Sequence, residues 1–185
     1  MSKLITEGSV VEQWQSLVSD ASANCEYQLD EELESYLVFA LVRYTQRPEL
    51  VDSFIAVEYM EGLHEKGSQQ YNQLRDVADK CLLFSGLFPR TIREKITDIG
   101  YYINIGRSSY SQLETLFQKK MTGLYDKLSR YFILLTDVLH SMRELNGTPI
   151  MDEAEKYQFW VDFNSEYAKK SLQDFYGVIP FNANR

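Results

Sequence analysis

Proline, cysteine and histidine are scarce: four, two and two in 185 residues. Cys25 and Cys81 stand far apart, with no CxxC or zinc-ligand spacing, which excludes a disulfide scaffold and a zinc module. Cys81 sits among apolar neighbours and reads as a reduced core thiol. No apolar run is long enough to span a bilayer, and the opening stretch Met1–Ser9 lacks the hydrophobic region of a signal peptide. Basic residues are also short, 19 Lys and Arg against 27 Asp and Glu. The resulting charge of −8 argues against nucleic acid or an anionic membrane as a partner, because both reward a basic surface. These shortages predict a cytoplasmic protein. Alternating strand patterns, internal repeats and low-complexity segments are absent as well.

The length suits one domain, here 1–185 with tails at 1–8 and 178–185, and a chain this long buries about 70% of its extended surface without a staple. Apolar residues make up 44% and charged residues 25%, an ordinary globular balance. Thirteen Tyr and ten Phe are the exception, and tyrosines in such number need partners for their hydroxyls.

Apolar spacing at i, i+3, i+4 and i+7 predicts an all-α bundle of seven or eight helices. Ser9-Val-Val-Glu12 has the capping-box pattern for the first helix, which fades over Ser19–Asn24. The second follows Asp30, and the third starts at Pro48, where a missing N–H costs nothing. The fourth carries Leu74, Val77, Ala78, Cys81 and Leu82 and is expected to close on a left-handed Gly86. A short basic helix is expected over Thr91–Ile96. Asp98 caps the fifth, whose stripe Ile99, Tyr102, Ile103, Gly106, Tyr110 and Leu113 puts a glycine on a buried face, as close approach by another side chain would require. The sixth runs from Leu124 to Leu145, and two more follow Asp152 and Asn164-Ser165.

Two acid-x-x-His motifs are the sharpest chemical pattern: Glu61 with His64, and Asp137 with His140. With Glu34 and Glu114 as lone carboxylates they reproduce the ligand order of a ferritin-like di-iron bundle, an iron-dependent oxidoreductase. Against that, Leu135, Val138, Leu139, Met142 and Leu145 define the buried side of the sixth helix, which turns Asp137 and His140 toward water. With two exposed histidines, nucleophilic dyads have little to stand on. Arg90, Arg93 and Lys95 form the only basic cluster; with Arg107 they are placed to attract an anionic ligand or an acidic partner. Tyr101, Tyr102, Tyr110, Tyr125 and Tyr131 are candidates to line a ligand pocket, with Tyr102 and Tyr110 at its centre.

The residues Leu82 to Pro89, then Tyr101-Tyr102 and Gly106 to Tyr110, resemble an uncharacterised family of bacterial helical proteins with an LLxSGLFP…YYxxxGxxxY core. The resemblance implies a bacterial source and a helical fold and carries over no activity. The sequence thus supports a non-enzymatic protein, without cofactor, that binds a protein partner, a small ligand or a second copy of itself as a homodimer. The di-iron oxidoreductase stands as the alternative.

Overall fold

The computed structural model describes residues 7–45, 54–90, 98–117, 123–145 and 147–177. Among them are nine α-helices and no strand: α1 Glu7–Asn24, α2 Glu31–Thr45, α3 Ile55–His64, α4 Gly67–Leu87, α5 Ile99–Phe117, α6 Leu124–Arg130, α7 Phe132–Glu144, α8 Glu153–Phe163 and α9 Glu166–Tyr176. The Thr91–Ile96 helix and the Pro48 start lie outside the described residues. None of the nine is long and apolar enough to cross a membrane.

α4 is the centre. Every residue from Val77 to Gly86 is buried, so this helix is enclosed on all sides rather than along one stripe. It packs on α5, with α3 and α7 on its other flanks; α1 bridges α2 and α7, and α8 and α9 form a hairpin laid on α7. Leu37, Leu74, Leu82, Ile103, Leu113, Leu128, Leu135 and Leu139 are fully buried at the joins.

Several local rules hold. Asp30 Oδ1 accepts from Leu33 N at the start of α2, and Asp152 with Glu155 makes a reciprocal capping box on α8. Ser165 caps α9, and Gly177 ends it at φ 70°, where an L side chain would be strained.

Other expectations are corrected. α1 begins at Glu7 rather than Ser9 and continues to Asn24, because Val18, Ala21 and Ser22 keep its later turns buried. Gly86 does not terminate α4. It lies inside the helix, where a Cβ would collide with Leu139 of α7. The helix stops one turn-step later because Pro89 disfavours helical backbone at Phe88, which sits at φ −133°. The long sixth helix is two, broken at Tyr131 between α6 and α7.

Gly106 is a contact point, as its place on the stripe predicts. A Cβ there would lie 2.6 Å from the Phe132 ring and 2.8 Å from Cys81 Cβ, so α5 can approach α4 and α7 only with glycine at this position. Cys25 and Cys81 are both buried and free, and burial pushes the Cys25 thiol up to about 12.

Candidate functional site

Of the residues expected to bind a ligand, Tyr102, Tyr110, Arg90 and Arg107 do not form one site. Tyr110 lies in the core, its hydroxyl donating to Asp79 Oδ1 at 2.8 Å. Tyr36 donates to the same oxygen at 2.6 Å, and Arg43 Nη1 donates to Oδ2 at 2.5 Å. Asp79 is fully buried, and burial pushes its carboxyl upward, opposed by the Tyr36 hydroxyl, Arg43 and the Tyr110 hydroxyl. The Tyr110 ring stacks on Tyr125, whose hydroxyl meets that of Tyr71 at 2.6 Å, and Tyr110 also lies against Phe132. This centre ties α2, α4, α5 and α6 together with every oxygen of Asp79 satisfied. Its space around Tyr110 is filled by side chains.

Arg107 is exposed on α5. Its Nε donates to the Ser129 carbonyl, and Ser129 Oγ returns a bond to the Arg107 carbonyl, which clamps α5 to α6. Arg93 lies outside the described residues.

Tyr102 and Arg90 belong to a different place, where α4 ends and α5 begins. Tyr102 is buried, about 12 Å along the helix from Tyr110 by the rise per residue. Its ring meets Phe84 at 6.2 Å and Tyr101 at 6.0 Å, and Phe84 meets Phe88 at 6.3 Å, all edge to face. The inner rings, Phe84 and Tyr102, are buried; the outer ones, Phe88 and Tyr101, are 42% and 40% exposed. Arg143 of α7 is exposed and carries its guanidinium over the Phe88 ring, 5.8 Å from the centre, a cation–π contact. Arg90 is exposed two residues beyond Phe88. Most described lysines and arginines end on a carboxylate, whereas neither Arg90 nor Arg143 makes an ion pair among the described residues. Phe54, just before α3, and Val57 and Met60 on it are a second set of exposed apolar side chains, and no cation–π contact is made to Phe54 among the described residues.

The acid and histidine candidates also scatter. Glu61 is exposed and accepts from Gln73, while His64 Nδ1 bonds the Met60 carbonyl at the end of α3. Glu114 accepts from Asp126 N, and Glu34 lines a cleft of about 580 Å³ with Ser19, Ser22, Tyr27 and Asp30. Among the described residues no three His, Cys, Asp or Glu side chains converge to hold a metal ion.

Asp137 and His140 do not face water: they are 1% and 0% exposed. The α8–α9 hairpin covers the face that the apolar spacing of α7 leaves over. Asp137 accepts from Ser165 Oγ at 2.6 Å and from Tyr167 N at 3.4 Å, so a carboxylate of α7 caps the N-terminus of α9. Burial pushes its pKa up to about 7, against the pull of the Ser165 hydroxyl. His140 Nε2 donates to the Ser85 carbonyl at 2.9 Å, which leaves Nδ1 as a bare acceptor with no partner, and the ring lies 5.1 Å from Phe159. Burial lowers its pKa to about 4, so it is neutral at physiological pH. Next along the same helix, Glu144 accepts from Ile150 N and the Tyr167 hydroxyl. These groups fasten the hairpin.

No family model matches the chain, and neither a curated protein nor a solved structure matches it.

Proposed function

We propose that the chain is a non-enzymatic cytoplasmic helical protein that works by binding a protein partner through the Phe88–Tyr101 surface. The observation that carries this reading is the pairing of exposed aromatic rings with cations that lack carboxylates. Phe88 and Tyr101 each leave about two-fifths of their surface in water although buried rings support them from beneath. Covering that area contributes about 2 kcal/mol per ring at the usual area coefficient. Arg143, over Phe88, adds hydrogen-bond donors beside the apolar anchor, and exposed Arg90 follows two residues along the chain.

The buried acid and histidine groups support a structural role over a catalytic one. Asp137 is occupied by the cap of α9, and His140 is shut away from solvent between Ser85 and Phe159. Capture from extracts of the native cell, with the wild-type chain and the Phe88→Ser/Tyr101→Ser double variant as baits, tests the proposal. At least one protein retained by the wild type and lost by the variant is expected. An unchanged set of captured proteins would overturn it.

A further inference from the structure

We infer that the Phe88–Tyr101 surface receives an acid-bearing amphipathic segment of the partner protein, with its apolar side chains on the two exposed rings and its carboxylates on Arg90 and Arg143. This rests on the partner-binding reading above and adds the chemistry of the partner.

Charge distribution makes the choice. The chain carries a net charge of −8, so most of its surface repels an acidic segment. A carboxylate arriving at Arg43 or Lys80 would have to displace Asp79 or Glu58. At Arg90 and Arg143 nothing described has to leave. Arg143 is also placed beside the anchor: its guanidinium lies over the Phe88 ring, 5.8 Å from the centre, and no carboxylate among the described residues occupies its N–H groups. The anchors are preorganised. Phe84 and Tyr102 are buried and hold Phe88 and Tyr101 by edge-to-face contacts, so little side-chain freedom remains to be lost on binding. Phe88 at the end of α4, Tyr101 of α5 and Arg143 of α7 are thereby joined in one chain of ring and cation contacts. An anionic lipid surface would meet the same groups, but the acidic remainder of the chain opposes approach to an extended negative plane.

A random peptide library selected on the full chain tests the inference, with anionic vesicles as a parallel probe. Enriched peptides are expected to carry Asp or Glu beside Phe, Leu or Trp. Their affinity is expected to fall about tenfold for Arg143→Glu and for Phe88→Ser, and to fall with added salt. Arg143→Gln gives the same reading with no reversed charge, should Arg143→Glu perturb the fold seen by circular dichroism. Neutral or basic apolar peptides that need Phe88 but ignore Arg143 would overturn the acidic assignment and leave the partner-binding reading standing. Peptides indifferent to Phe88, an empty selection, or vesicle binding that depends on Phe88 would overturn the inference as a whole.

Discussion

Asp137 and His140 lie one turn apart on α7, both buried, and their protonation is linked to stability with opposite sign. His140 titrates near 6.5 in an unfolded chain and at about 4 in the fold. Below pH 6.5 the unfolded state takes up a proton that the folded state refuses, so stability falls as pH drops to about 4, by about 3 kcal/mol in all. Asp137 titrates near 3.8 unfolded and at about 7 folded. Above pH 3.8 the unfolded state releases a proton that the folded state keeps, so stability falls as pH rises toward 7, by about 4 kcal/mol. Between pH 4 and 6.5 the two contributions nearly cancel. Single variants therefore unmask what the wild type hides. His140→Gln keeps an amide donor for the Ser85 carbonyl and removes the titration; measured by urea unfolding across pH 4–7, its stability relative to wild type should improve by about 3 kcal/mol on going from pH 6.5 to 4. Asp137→Asn should shift the other way, gaining on the wild type by about 4 kcal/mol as pH rises from 4 to 7. Curves that stay parallel to wild type, separated by a constant offset, would refute the reasoning, because they would mean that both groups titrate as they do in water.

Gly106→Leu is expected to lower stability by about 3 kcal/mol through overpacking against Phe132 and Cys81, seen as a lower melting temperature; an unchanged melting temperature would place Gly106 toward solvent. Asp79→Asn should cost about 2 kcal/mol in urea unfolding, since one oxygen that serves Arg43 or the two tyrosines is lost from a sealed centre. The di-iron alternative is checked by elemental analysis of protein purified from iron-supplemented cells: iron below one atom per chain, unchanged by His140→Ala, is expected, and two irons per chain lost in that variant would restore it.

Local rules read well wherever the deciding contacts are close in sequence. The stripe on α5 and the helix starts after Asp30 and Asp152 all depend on residues within a turn or so. They misread positions where distant chain decides. Gly86 has the local signature of a terminator, but Leu139, far along the chain, fixes it as a close-contact residue inside α4. Asp79 and Lys80 escape sequence reading because their partners are Tyr36, Arg43, Tyr110 and Glu58. Asp137 and His140 look wet because the apolar spacing of α7 marks one buried side; the α8–α9 hairpin buries the other, and over these two residues its contacts include Ser165 and Tyr167 N on Asp137 and Phe159 on His140, distant partners to which the periodicity of α7 is blind. The surface proposed for binding was half legible. Tyr102 and Arg90 stand out in sequence, whereas Phe88 reads as an apolar cap and Arg143 as ordinary solvated charge until the fold sets one over the other.

Photocrosslinking within the native cell tests the partner-binding claim most directly, with benzoylphenylalanine in place of Phe88 and, as a control, in place of exposed Gln112 on α5. A discrete adduct with another protein from position 88 and none from position 112 is the predicted result. No adduct from position 88, or the same adducts from both positions, would contradict the account.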